Sequence, residues 1–137
     1  MPKKIVNDAR VAKAGEVMTQ FVFCIDGDKS VADAIRLMRA ENLSSLIVNG
    51  KTPSDPWGIV TRKDVVSKIV APDRDPEKVK VSEIESRPLV TVSPKMLVKE
   101  CAELMRSKGI RRVAVYDGKA IIGLLSNTDI FHVIRVE

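Results

Sequence analysis

The sequence predicts a mixed α/β (α+β) fold built from two β-α-β-β-α units. Three observations carry that prediction. A long segment is repeated, apolar residues switch between strand-like runs and helical spacing in the same order in each copy, and a charged stretch with prolines separates the copies. Val31-Ala32-Asp33-Ala34-Ile35-Arg36-Leu37-Met38-Arg39 aligns with Val98-Lys99-Glu100-Cys101-Ala102-Glu103-Leu104-Met105-Arg106 at an offset of 67 residues, which holds without a gap from Val17/Ile84 to Val48/Val115. Gly58/Gly123 and Asp64/Asp129 align at an offset of 65, so the first copy carries two extra residues, expected in the turn-rich segment 49–56. The expected divisions are an N-terminal extension over 1–16, a first unit over 17–70, a linker over 71–80 and a second unit over 81–137.

In the first copy, residues 22–25 form a short apolar strand and Asp26-Gly27-Asp28 turns the chain. Ser30 is placed to cap a helix whose buried face is Val31, Ala34, Ile35 and Met38. Asn42, which tolerates a left-handed backbone, ends it. Strands follow over 46–48 and 59–61, then a helix with Val65, Val66, Ile69 and Val70 on its apolar side. The second copy repeats the scheme: a strand over 89–92 broken by Pro94, and a helix lined by Val98, Cys101, Ala102 and Met105 and stopped by Gly109. Strands at 113–115 and 121–125 are joined around Asp117-Gly118, a strong hairpin signal. Ile130, Phe131 and Ile134 are expected to face inward from the last helix.

With 137 residues, 45% apolar and 30% charged, the chain can bury a core. No apolar run approaches the roughly 20 residues of a membrane span, and no leader with a cleavage site is visible, so the cytoplasm is the expected location and no membrane partner is expected. Cys24 and Cys101 lack disulfide-framework or zinc spacing and read as reduced core residues. The net charge of +5 favours anionic ligands or nucleic acid, yet only 4% of residues are aromatic, which argues against a stacking platform for single strands.

The chemistry-bearing pattern is Gly58-Ile59-Val60-Thr61-Arg62-Lys63-Asp64, repeated as Gly123-Leu124-Leu125-Ser126-Asn127-Thr128-Asp129. Each leaves a strand through a hydroxyl residue and reaches Asp three positions on, where a helix begins. A capping box explains the spacing. So does a ligand site, because the free amides of a helix start suit phosphate or ribose oxygens, and a hydroxyl with a carboxylate one turn away can grip a diol. Arg111-Arg112 reads either as two solvated charges at a strand edge or as a bidentate phosphate fork. The equivalent positions in the first copy are Ser44 and Ser45, so an anionic ligand should distinguish the copies. Trp57 reads as core filling, and the lone His132 as a surface or capping residue. A base, nucleophile pair or metal cluster is missing, and no catalytic residue or required cofactor is expected.

These segments, in their duplicated order, resemble the tandem cystathionine-β-synthase (CBS) domain pair, or Bateman module. The resemblance runs from about Val17 to Ile134 and rests on Leu89-Val90-Thr91-Val92-Ser93-Pro94, the helix to Leu104-Met105, Gly109 through Val115, and both Gly-to-Asp motifs. It implies two units related by a pseudo-twofold axis, with clefts between them that take AMP, ADP, ATP or S-adenosylmethionine. By the same resemblance, the motif from Gly58 to Thr61/Asp64 and its counterpart at Ser126/Asp129 hold ribose, Arg111 and Arg112 hold phosphate, and Ile59 and Val92 lie near the adenine. It further implies a regulatory, energy-sensing homodimer that signals to a separate effector protein. The Ser126/Asp129 cleft would face Ser44 and Ser45 and bind more weakly. Ile84-Glu85-Ser86 departs from its counterpart Val17-Met18-Thr19. The alternatives are a nucleic-acid-associated protein and an S-adenosylmethionine-binding accessory protein.

Overall fold

The computed structural model describes residues 8–50 and 57–136; most of the expected insertion at 49–56 lies outside them. In chain order the elements are α1 (Ala14–Val17), β1 (Cys24–Asp26), α2 (Val31–Ala40), β2 (Ser45–Asn49), β3 (Gly58–Thr61) and α3 (Arg62–Val65). A wider π-type turn (Val66–Val70) and a single 3-10 turn (Val81–Glu83) follow. Then come β4 (Thr91–Val92), α4 (Val98–Lys108), β5 (Arg112–Tyr116), β6 (Ile121–Ser126) and α5 (Asn127–Phe131).

Two compact units result, each with a three-stranded sheet. In the unit Phe23–Leu89, β1 runs parallel to β2 (Cys24 beside Ile47) and β2 antiparallel to β3 (Leu46 beside Val60). The parallel pair requires a crossover, which α2 supplies. Ser30 caps that helix by accepting from the Asp33 N–H at 3.0 Å, and Asn42 follows it with φ +54°. Leu46, Val48, Val60, Val31, Ala34 and Ile84 are buried together in the core. The other unit repeats this: β4 is parallel to β5, β5 antiparallel to β6, and Val98, Cys101, Met105, Val113, Val115 and Leu125 fill its core. Gly109 ends α4 at φ +66°, a backbone only glycine adopts without cost. The β5–β6 turn closes on the Asp117 carboxylate, which accepts from the Lys119 and Ala120 N–H groups at 2.8 and 2.9 Å. Those two amides hold its pKa below the ordinary value.

The units cut across the sequence repeat. Among the described residues, 8–22 belong with 90–136, not with the first copy, and those through Leu89 belong with Phe23 onward. Edge protection accounts for this exchange. β6 has an open outer edge, and Thr19 covers it by exchanging backbone hydrogen bonds with Leu124 at 2.8 and 3.0 Å. Ala12 and Ala14 are fully buried there, bonded to Val98 and Met96. In the same way Ser86 pairs with Ile59 on the edge of β3, while Val79, Val81 and Ile84 enter the other core. The stretch expected as a plain linker therefore leads directly into core packing.

Three burial expectations are corrected. Cys24 is exposed, because β1 alternates outward, inward, outward and it is Ile25 that points in. The last helix stops after five residues, so only Ile130 packs inward, while Phe131 and Ile134 stand 69% and 52% exposed. The π-type turn likewise buries Ile69 and leaves Val66 and Val70 at the surface. Cys101 is buried as expected; desolvation, helped by Glu100, pushes its thiol up to about 11. Trp57 is half-buried, and His132 is an exposed residue at the end of α5.

Candidate functional site

Each copy of the hydroxyl–carboxylate motif folds at the junction of a strand and a helix. In the first, β3 ends at Thr61 in extended conformation and α3 starts at once. The Thr61 Oγ1 accepts from the Asp64 N–H at 3.2 Å, and the Asp64 Oδ2 accepts from the Thr61 N–H at 2.9 Å and from its hydroxyl at 3.0 Å. In the second, the Ser126 Oγ accepts from the Asp129 N–H at 3.1 Å and the Asp129 Oδ2 from the Ser126 N–H at 2.9 Å. Both capping boxes are thus formed, and each uses one carboxylate oxygen. The other oxygen, Oδ1, is left for a different partner.

That second partner differs. Asp129 Oδ1 accepts from the Thr19 hydroxyl at 3.3 Å. Asp64 Oδ1 instead lies 3.3 Å from the Lys68 ammonium, which also donates to the Ile84 carbonyl at 2.8 Å. Neither Thr19 nor Lys68 was among the residues the sequence singled out. The spacing of Asp64 and Lys68, four apart with the acid first, is the helical ion-pair signal that points to one of them. Thr19 reaches its partner only through the exchanged lead-in segment.

The strand glycines are held by close packing. A Cβ on Gly58 would lie 2.2 Å from Glu85 Oε1, and one on Gly123 would lie 2.5 Å from Met18 Sδ and 2.8 Å from the Thr19 carbonyl. Glu85 and Met18 are repeat equivalents, so a carboxylate covers one glycine and a thioether the other. The Glu85 side chain is only 8% exposed. Its Oε2 accepts from Arg87 Nε at 2.9 Å, whereas Oε1 is buried with no hydrogen-bond partner.

Ile59 is half-buried and adjoins Thr61 on the same face of β3, away from the core-facing Gly58 and Val60. Val92 is 6% exposed and packs in the core beneath β5. Arg111 is exposed and Arg112 half-buried. Their backbone lies beside the second motif, Arg112 opposite Ser126 and the Arg111 carbonyl accepting from the Asn127 N–H at 2.9 Å. Ser44 and Ser45 occupy the same places beside Thr61, with the Ser44 carbonyl accepting from Arg62 at 3.0 Å. Within its own unit, then, the Arg pair accompanies Ser126/Asp129 and the Ser pair accompanies Thr61/Asp64. Among the described residues, no group of three His, Cys, Asp or Glu side chains is placed to hold a metal ion, and no helix is long and apolar enough to cross a membrane.

Known proteins give a consistent picture. The CBS domain family model matches twice, at residues 14–71 and 81–136. An uncharacterised protein of Methanopyrus kandleri is 34% identical over 90% of this chain and 63% of its own length. A mitochondrial CBS-domain protein of Arabidopsis thaliana is 29% identical over 91% of this chain and 62% of its own. The chain thus spans about three fifths of the length of these relatives. Among solved structures, a hexameric CBS-CP12 protein from bloom-forming cyanobacteria is 42% identical, with TM-score 0.85 over 88% of this chain and 67% of that one. A CBS-domain protein of Pyrobaculum aerophilum, solved in complex with AMP, shares the fold at TM-score 0.74 and 20% identity over 85% of this chain and 88% of its own.

Proposed function

This chain belongs to the CBS-domain family, and we propose that it is an adenine-nucleotide-responsive regulatory module of the AMP, ADP or ATP class that acts on a separate effector. Tandem CBS-domain proteins are regulatory modules, and the Pyrobaculum aerophilum relative of this fold was solved with AMP. The observation that carries the reading is the duplicated junction itself. Twice, a strand delivers a hydroxyl and a carboxylate to a helix start, with one carboxylate oxygen consumed by the cap and the other facing a polar partner. A ribose diol fits that arrangement, since its two O–H groups donate where the present partners do. In this reading the motif from Gly58 to Thr61/Asp64 and its counterpart at Ser126/Asp129 take ribose, Ile59 and Val92 form the apolar surroundings of the base, and Arg111 and Arg112 take phosphate.

The exposed apolar residues Val66 and Val70 of one unit and Phe131 and Ile134 of the other support self-association. The hexameric state of the cyanobacterial relative points the same way.

A thermal-shift panel on nucleotide-stripped protein tests the reading. A ligand at 100 times its Kd stabilises by about 2.7 kcal/mol, which for a chain of this size raises Tm by several degrees. The expected result is a rise with AMP, ADP or ATP that is lost in Asp64→Ala and kept in Asp129→Ala. No rise with any adenine ligand sinks the proposal. Retention on nucleic acid that weakens steeply with salt would move the assignment to a nucleic-acid partner instead.

A further inference from the structure

Lys68 gives the first motif a feature that the second lacks. Its repeat equivalent is Val133, which has no charge to offer. Lys68 sits in the π-type turn Val66–Val70, closed by the Ala71 N–H on the Val66 carbonyl at 3.0 Å. The second unit has no such turn after α5, where His132 closes the helix on Thr128 and Ile130. π-type turns are rare and concentrate at functional positions. Here the wider turn carries the amine to two acceptors at once, Asp64 Oδ1 and the Ile84 carbonyl.

An ammonium has three N–H donors. One is donated to the Ile84 carbonyl, the ammonium is ion-paired with Asp64 Oδ1 at 3.3 Å, and it has no further partner among the described residues. Lys68 is 43% exposed and Asp64 only 14%, and the ammonium stands 3.3 Å from the carboxylate. Asp64 itself is neither removed from use nor saturated by the pair, because a carboxylate oxygen accepts more than one hydrogen bond. A diol docking on Oδ1 therefore finds a cationic donor beside it, with one N–H open. At the second motif the same docking finds the Thr19 hydroxyl, and no cation paired with Asp129 among the described residues.

We propose that Lys68 is a ligand-contacting, specificity-determining residue of the Thr61/Asp64 site, whose open N–H takes an anionic oxygen of the bound nucleotide. It selects phosphorylated nucleosides over uncharged nucleosides and over sulfonium-bearing ones, whose positive charge the ammonium repels. This assignment rests on the reading of Asp64 as a ribose ligand and names the class of ligand that site accepts.

Calorimetric titration of the full, nucleotide-stripped chain tests it, in an Asp129→Asn background so that one motif reports. AMP, adenosine and S-adenosylmethionine are titrated into Lys68, Lys68→Val and Lys68→Arg proteins, with thermal melts to verify folding. A charge-assisted hydrogen bond to phosphate is worth about tenfold or more in affinity. Lys68→Val, the residue of the other copy, should weaken AMP by about tenfold and leave adenosine within about twofold, while Lys68→Arg keeps the preference for AMP. S-adenosylmethionine should bind better to Lys68→Val than to the parent. Equal weakening of AMP and adenosine, or no change in either, overturns the assignment and leaves Asp64 as a ribose ligand. Failure of the Lys68 protein to bind any of the three overturns the ribose reading, and this assignment with it.

Discussion

The two units are the same device assembled with different parts. Both place a capped carboxylate at the end of a sheet strand, both cover the strand glycine with a side chain from a lead-in segment, and both seal the outer strand edge with that same segment. The unit Phe23–Leu89 surrounds its motif with Lys68, Glu85 and Arg87, and the other unit with Thr19 and Met18. What the fold requires has been kept twice: the hydroxyl, the Asp, the glycine and the edge contact. What differs is the charge around those fixed points.

The sharpest way to break the equivalence is at the glycines. Gly123→Ala drives a methyl against the backbone carbonyl of Thr19, which cannot turn aside, whereas at Gly58 the obstructing atoms belong to the side chains of Glu85 and Arg87. Overpacking of this kind costs about 1–3 kcal/mol. Gly123→Ala is expected near about 3 kcal/mol and Gly58→Ala near about 1, read from denaturant unfolding. Equal losses would mean that the lead-in of the second unit yields as readily as a side chain.

A smaller effect sharpens the contrast between Glu85 and Met18. A buried oxygen without a partner costs about 1–3 kcal/mol, partly offset here by the Arg87 pair. Glu85→Met transplants the other unit's solution and should raise stability by about 1 kcal/mol. A loss would show that the pair with Arg87 outweighs the orphaned oxygen.

The smallest expected effect concerns the thiols. In native protein a thiol reagent should label Cys24 and spare Cys101, with both labelled in denaturant. Folded Cys101 keeps its proton up to about 11 against an ordinary value of 9.0. The unfolded chain therefore releases a proton first, and stability should decline as pH rises from 9 toward 11. Cys101→Ala should flatten that part of the pH profile relative to the parent. Labelling of both cysteines at equal rates would show that the second core opens as easily as an edge strand.

Much of this architecture was legible before the structure. The repeat, the caps at Ser30, Thr61 and Ser126, and the helix ends at Asn42 and Gly109 follow from local rules in which a residue three or four positions away decides the outcome. The exchanged lead-ins were not legible. Ala12 and Ala14 are small residues whose burial depends on Met96 and Val98, far along the chain, and no periodicity announces it. The outward turn of Phe131 and Ile134 escaped for a related reason: helical spacing predicts a face, but the helix ends before that face is built. At the motifs, the residue types were read directly. Lys68 was visible only as an ordinary ion-pair spacing, and the contact of Thr19 with Asp129 spans 110 residues.

That long span bears on how the molecule comes into being. The unit Phe23–Leu89 is contiguous, so it can close as soon as its own residues leave the ribosome. The segment ahead of it is synthesised first, yet it must wait for β6 before it has an edge to seal. Closing so long a loop costs little more entropy than closing a shorter one, but contacts this distant in sequence slow the search. The segment ahead of the Phe23–Leu89 unit is thus among the last parts of the two units to find its place, and the second core is completed only after β6 has been made.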